Sequence, residues 1–323
     1  DQAGARMSLA RGPGVDVDAL KRNLSELEAE KKSAIEAEDY ERAGRVRDEI
    51  TALTARIESV EAPDAQAART AASEATIGEE EIDGGEIELA IVLGGDGTIL
   101  RAAELVRGRS TPLVGINLGH VGFLAESEVD RVAHVVARAA ERDYQVEERM
   151  TLDLTLTPPD GPPSHGWAIN EVSVEKVDRE RMIEVAIGID DRGLSTFGCD
   201  GVVMATPTGS TAYAFSGGGP VVWPDVSAML LVPISAHSLF ARPLVVGPDS
   251  RMTVEVLSRS FTPAVLWCDG RRRLDAAPGA RIDVVRGSEP VRLARFNLSP
   301  FTDRLVGKFN LPVAGWRGAR DTP

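Results

Sequence analysis

Asp96 is the residue of this sequence placed best for chemistry. It lies within Gly94-Gly95-Asp96-Gly97-Thr98, after the apolar run Ile87 to Leu93 and ahead of Leu100, Ala103 and Val106, which recur at helical spacing. The run is long enough for a strand buried on both faces, the glycines permit a sharp turn, and Thr98 can cap the helix that follows. A strand, a glycine turn and a helix N-terminus gather backbone N–H groups that favour phosphate. Gly94, Gly95, Gly97 and Thr98 are therefore the expected phosphate loop, with one carboxylate among its donors. The alternative is an ordinary turn, in which glycine and Asp are common. Neither standard nucleotide motif fits, because no Lys-Ser/Thr pair follows the glycines and Leu100 stands where a third glycine would be.

Three further polar clusters lie downstream. Ala168-Ile169-Asn170-Glu171 sets an amide beside a carboxylate, suited to the hydroxyl and amide edges of a ligand. Gly198-Cys199-Asp200-Gly201 repeats an acid in a glycine turn. Thr206-Pro207-Thr208-Gly209-Ser210-Thr211-Ala212-Tyr213-Ala214-Phe215-Ser216 brings hydroxyls, helix-start N–H groups and a stacking ring ahead of Gly217-Gly218-Gly219. Those are the groups a dinucleotide needs, although Ser and Thr also serve turns and caps.

Composition narrows the possibilities. The 323 residues, 43% hydrophobic, suffice for two domains and a sizeable core. With 36 Lys and Arg against 50 Asp and Glu, the net charge is −14, which argues against nucleic acid as a partner and requires any anionic ligand to meet a local cluster of donors. Two cysteines, Cys199 and Cys268, fit a reducing compartment. No apolar stretch is long enough to cross a membrane and no signal peptide is apparent, so the expected location is cytoplasmic. His120, His134, His165 and His237 show no ligand spacing, and no metal held by protein side chains is predicted.

The elements that must position these residues read in order. Residues 1–15, rich in Gly, Ala and Arg, read as a disordered lead-in or a gene-start remnant. Within 16–60, Leu20, Leu24 and Leu27, then Val46, Ile50, Leu53, Ile57 and Val60, form an a/d seam that predicts a helical hairpin. Residues 61–86 read as an acidic linker. An α/β region spans 87–143, with a strand at 112–117 and a helix from Glu128 to Arg142 whose apolar face is Val129, Val132, Val135, Val136 and Ala139. From 144 to 295, period-two runs at Leu152, Leu154 and Leu156, at Val172 and Val174, at Val185, Ile187 and Ile189, at Val254 and Val256, and at Ile282 and Val284 predict a β-rich sandwich-like domain. The tail, 296–323, returns to the first domain through Phe301, Leu305, Phe309 and Trp316.

Two resemblances attach to these residues. Leu27 to Ile50 resembles the UVR motif, a helical hairpin of bacterial excision-repair subunits and some Clp-associated proteins, with Gly44 in place of a usual alanine. It implies a protein partner for residues 16–60. Gly94 to Thr98, Asn170-Glu171 and Thr206 to Tyr213 resemble, in order and separation, the three signatures of the NAD kinase family. Pro300 to Val306 and Leu311 to Arg317 resemble the tail of its actinobacterial members.

The family resemblance implies an α/β domain joined to a β-sandwich-like domain. It also implies phosphoryl transfer from ATP, or polyphosphate, to the adenosine-ribose 2′-hydroxyl of NAD, with Mg²⁺ or Mn²⁺. Asp96 matches the family's proton acceptor. Gly97, Arg101, Asn170, Glu171, Arg181, Asp200, Thr211, Ala212, Tyr213, Ala214, Phe215 and Ser216, together with Asp96, match its NAD-binding positions. A homo-oligomer, dimer or tetramer, is implied as well. The family's opening strand and helix are not recognisable, and the UVR-like hairpin and linker occupy their place, so the parallel sheet is expected to have an unpaired edge. Two functions follow: an NAD kinase, or a non-catalytic NAD-binding regulator acting through the hairpin.

Overall fold

The computed structural model describes residues 27, 46, 50, 87–117, 122–125, 127–128, 132–296 and 300–313. The chain divides into two compact units, Asp1–Ile77 and Gly78–Pro323. In the first, Leu27, Val46 and Ile50 are helical and Val46 is buried. The rest of the predicted lead-in, hairpin and linker lies outside the described residues, as do Val129 and Trp316.

The second unit begins as an α/β sheet. Strand β1 (Ala90–Leu93) runs into helix α1 (Asp96–Leu105), which crosses back to the parallel strand β2 (Leu113–Asn117). Strand β3 (Ser127–Glu128) pairs with the end of β2, helix α2 (Val132–Ala140) follows, and β4 (Gln145–Arg149) lies at the far side. Every residue of β2 is buried, as a parallel strand covered on both faces requires. β1 is shorter and more exposed than its apolar run predicts. Only Val92 is buried and Ile91 is 37% exposed, because β1 is the sheet edge and pairs with β2 alone among the described residues. Ile99, Leu100 and Ala103 press α1 against Val92 and Leu113. α2 is shorter than predicted and turns Val136 outward, while Val135 is buried.

Twelve strands then build a sandwich. They are β5 (Leu152–Thr157), β6 (Ser164–Ala168), β7 (Glu171–Lys176), β8 (Ile183–Ile189), β9 (Arg192–Cys199), β10 (Gly201–Ala205), β11 (Met229–Ile234), β12 (Leu244–Val246), β13 (Met252–Val256), β14 (Ala264–Cys268), β15 (Arg272–Ala276) and β16 (Arg281–Arg286). A short 3₁₀ turn (Thr208–Thr211) and helix α3 (Tyr213–Ser216) follow β10. The two antiparallel sheets run β6-β5-β16-β13-β8-β9 and β12-β11-β10-β7-β14-β15. Alternate residues, among them Leu152, Leu154, Val172, Val174, Val185, Met204, Val254, Leu266, Ile282 and Val284, meet in one core. Each contributes on the order of 1.5–3 kcal/mol by leaving water.

β17 (Val291–Arg295) inserts between β2 and β4, and helix α4 (Phe301–Phe309) follows. β4 and β17 thus belong to the α/β sheet, although their residues lie within the stretch whose alternation points to the sandwich. The expected return of the tail occurs at Phe301 and Phe309, whose rings stand 5.8 and 5.9 Å from that of Phe123. The sheet and the sandwich are joined at Trp167, whose ring lies 4.1 Å from the Arg107 guanidinium and 4.4 Å from that of Arg272.

Candidate active site

Asp96 opens α1. Gly95 is the N-cap, and no side chain caps the helix; Thr98 lies in the first turn, so its expected capping role is not found. Instead Thr98 packs over Gly94, whose φ of 151° suits a glycine and whose Cβ, were there one, would strike the Thr98 side chain. Around Gly95 and Gly97 a Cβ would meet nothing, so the turn is open on that side.

The Asp96 carboxylate is fixed from the turn that follows β2. Oδ2 accepts the N–H of Phe123 and Oδ1 that of Leu124, each at 3.0 Å. Gly122 allows this approach, since a Cβ there would run into Asp96 Oδ1. The same two residues are held by their carbonyls: Arg304 donates to Phe123 O and Arg295 to Leu124 O, both at 3.2 Å. The peptide between Phe123 and Leu124 is thereby gripped at both ends, its N–H by Asp96 and its carbonyl by Arg304, and Arg295 takes the next carbonyl. The glycine-rich stretch after β2 signals a turn in the sequence, but backbone donors have no residue type, and Phe123 and Leu124 escape a reading of side chains. Residues 118–121 of that turn lie outside the described residues.

The second signature rests on Asp269, which sequence reasoning missed. Its buried carboxylate accepts the N–H of Ile169 at 3.0 Å, of Asn170 at 2.7 Å and of Glu171 at 3.4 Å, and pairs with Arg272 at 2.7 Å. Arg272 also reaches Glu104 of α1 at 3.1 Å, which ties the helix begun by Asp96 to the Asn170-Glu171 segment. Glu171 is itself buried. Desolvation, reinforced by the neighbouring Asp269, pushes its carboxyl up to about 8, and the backbone N–H of Tyr213 opposes that shift. At neutral pH it is largely protonated and can donate as well as accept.

The hydroxyl-rich loop divides into two kinds of residue. Thr206 donates to Ile169 O at 2.5 Å and accepts the N–H of Gly209; buried Ser210 donates to Pro207 O at 2.6 Å and accepts the N–H of Val222 at 2.9 Å. These hydroxyls are consumed in building the loop, contrary to the expectation of ligand donors. Thr208 accepts from Arg149 at 3.4 Å, and Thr211 donates to Thr208 O. Gly209 sits against the Asn170 carbonyl, where a Cβ has no room. Loop and Asn170-Glu171 are therefore one structure, with Thr211, Ala212, Tyr213, Ala214, Phe215 and Ser216 emerging from it. Tyr213 is half-buried and its phenol is raised by burial and by Glu175, Glu171 and Asp200. Phe215 is 41% exposed and its ring stands 4.5 Å from Phe309.

Asp200 lies apart. It marks the corner where the chain leaves the sheet of β9 for the sheet of β10, and it pairs with Lys176 at 2.6 Å, which holds its carboxyl below the usual range. The length of β10 separates it from Thr206, on the order of 15–20 Å. Arg181, in the turn between β7 and β8, rests over Phe261 at 5.5 Å. Arg101 is exposed on α1. No group of three His, Cys, Asp or Glu among the described residues could hold a metal ion.

The chain matches two family models, the ATP-NAD kinase N-terminal domain over residues 25–144 and the ATP-NAD kinase C-terminal domain over residues 169–296. The first match begins within the predicted hairpin at 16–60 and takes in the whole UVR-like stretch. An NAD kinase of Leifsonia xyli subsp. xyli is 62% identical over 238 residues, 74% of this chain and 78% of the relative. NAD kinase 2 of Streptomyces coelicolor is 59% identical over 232 residues, 72% and 77% of the two chains. Among solved structures, yeast NADH kinase complexed with NADH superposes with a TM-score of 0.64 at 28% identity, over 74% of this chain and 71% of that one. An NAD kinase from Archaeoglobus fulgidus in complex with ATP gives 0.59 at 30%, over 72% and 85%. With both domain models matched in order and relatives this similar, the chain belongs to the NAD kinase family.

Proposed function

We propose that this chain transfers the γ-phosphate of ATP to the 2′-hydroxyl of the adenosine ribose of NAD, giving NADP, with Asp96 as the proton acceptor. The observation that carries the reading is the Asp96 carboxylate, fixed by two backbone N–H groups beside an open glycine turn at a helix start. As the ribose oxygen bonds to the γ-phosphorus, its proton passes to Asp96 and the bond from phosphorus to the ADP oxygen breaks. General-base help of this kind is worth about 10²–10⁴-fold, and positioning supplies much of the rest. Gly94, Gly95, Gly97 and Thr98 offer backbone donors to the phosphates. A divalent cation carried on the triphosphate, Mg²⁺ or Mn²⁺, supplies charge neutralisation.

Asn170, Glu171 and the segment from Thr211 to Ser216 hold the dinucleotide, with Gly97, Arg101, Asp200 and Arg181 as further contacts. Polyphosphate is an alternative donor. A homodimer or homotetramer is supported by exposed Met182 and Phe261 beside Arg181, and by exposed Leu239 and Phe240 just beyond His237, which bridges to Gly198. Light scattering on the purified chain checks that state. No described helix is long and apolar enough to cross a membrane, and a cytoplasmic location fits the composition. The regulator reading rests on residues 16–60, of which three are described, and the kinase names of the relatives give it no support. NADP formation from NAD, ATP and Mg²⁺, run beside Asp96→Asn, tests the proposal.

A further inference from the structure

Behind the Phe123–Leu124 peptides, on the side away from Asp96, lies a cavity of about 510 Å³. Three guanidiniums, Arg149, Arg295 and Arg304, line it against two carboxylates, Glu147 and Asp225, so its wall is net positive in a chain of charge −14. Arg149 and Arg295 are each 4% exposed. Buried cations persist only where partners offset the lost hydration. Arg295 has such partners in Glu147, at 2.7 Å, and Leu124 O.

Arg149 is held by different partners. It shares Glu147 at 2.9 Å and reaches Thr208 only at 3.4 Å, while its Nε is buried without a hydrogen-bond partner. Burial and the adjoining Arg295 pull this guanidinium down to about 10, a charge still present at neutral pH but short of counter-charge. At the cavity's open side, exposed Trp223 meets the Phe301 ring at 5.2 Å and leaves an apolar wall beside the cations.

We propose that this cavity binds an oxyanion of the phosphate class, anchored by Arg149 and met at the mouth by Arg304. The guanidinium fork matches a phosphate or phosphate ester, and the volume leaves room along Trp223 for a ring attached to it. Binding here acts on the reaction site through two routes. Arg295 and Arg304 hold the carbonyls of Leu124 and Phe123, the two residues whose N–H groups fix Asp96, and Arg149 touches Thr208 of the dinucleotide loop. An anion drawing on these guanidiniums changes turnover; that consequence rests on the kinase reading, whereas the binding does not.

The test is thermal unfolding of the full chain in inorganic phosphate against chloride of equal ionic strength, with saturating NAD present to fill the dinucleotide site. Phosphate is expected to raise Tm in the unmodified chain and in Asp96→Asn, to leave Arg149→Gln unmoved and to lose at least half its effect in Arg304→Gln. No rise in the unmodified chain, or an equal rise in both arginine variants, overturns the site. If Arg149→Gln does not fold, Arg304→Gln at the half-exposed mouth decides alone. Repeating the titration with AMP separates two sources of the same chemistry. Potency about tenfold above phosphate, lost in Trp223→Ala, identifies a nucleotide-like ester, and equal potency identifies the phosphate group alone as what is read.

Discussion

The N–H of Phe123 donates to Oδ2 of Asp96 at 3.0 Å across 27 residues of chain, so the turn after β2 aims the carboxylate that opens α1. Gly122 makes the approach possible. Gly122→Ala is expected to displace Asp96 and lower kcat by about 10–100-fold, since misplacement by an ångström is that costly, while the KM for NAD changes less than about threefold. Steady-state kinetics with far-UV circular dichroism checks this. An unchanged kcat would show that the alignment of Asp96 by this turn does not matter.

Asp269 holds three backbone N–H groups and Arg272. Asp269→Ala leaves those buried donors unsatisfied and is expected to destabilise the chain by about 2–4 kcal/mol and to raise the KM for NAD. Asp269→Asn, which keeps one acceptor oxygen, should fall between. Denaturant unfolding and KM are measured together. Lost stability with KM unmoved would separate Asp269 from the binding of NAD.

Ser210 and Thr211 are adjacent hydroxyls with different work. Ser210→Ala breaks the bonds to Pro207 and Val222 and should cost about 1–3 kcal/mol of stability with little change in the KM for NAD. Thr211→Ala should do the reverse. Thermal melts beside kinetics distinguish them, and a Ser210→Ala variant with intact Tm but weakened NAD binding would return that hydroxyl to the ligand.

Glu171 gives a pH signature. Its carboxyl sits near 8 in the folded chain against an ordinary 4.5. Between those values the native state holds a proton that the unfolded state has shed, so stability falls as pH rises through the window, by at most about 1.4 kcal/mol per pH unit. Glu171→Gln removes this dependence. Its Tm advantage over the unmodified chain should grow from pH 5 to 8 and level off above; a constant difference across that range contradicts a raised Glu171.

Much of the site is legible in the residues because glycine and acid types carry their own geometry. The turn at Gly94 to Thr98 and the close packing of Gly209 on Asn170 follow from what only glycine permits. Cys268-Asp269-Gly270 carries the same acid-before-glycine device as Asp96-Gly97 and Asp200-Gly201, a signal that marks Asp269 as a candidate, although Asp83-Gly84 and Asp160-Gly161 share it. Phe123 and Leu124 act through backbone N–H groups, which every residue has, and no side-chain pattern reveals them. The hydroxyls of Thr206 and Ser210 mislead because Ser and Thr serve loops and ligands with the same atom. β1 reads as doubly buried from hydrophobicity alone, yet burial depends on neighbours, and it is a sheet edge among the described residues.

The measurement that bears most directly on the account is NADP formation from NAD, ATP and Mg²⁺ by the full chain and by Asp96→Asn, with NAD affinity of both followed by calorimetry. The account predicts turnover in the unmodified chain, a loss of about 10²–10⁴-fold in Asp96→Asn, and NAD affinity that differs little between them. Equal turnover in the two would contradict Asp96 as the proton acceptor, and no turnover in either, with NAD still bound, would contradict the kinase reaction itself.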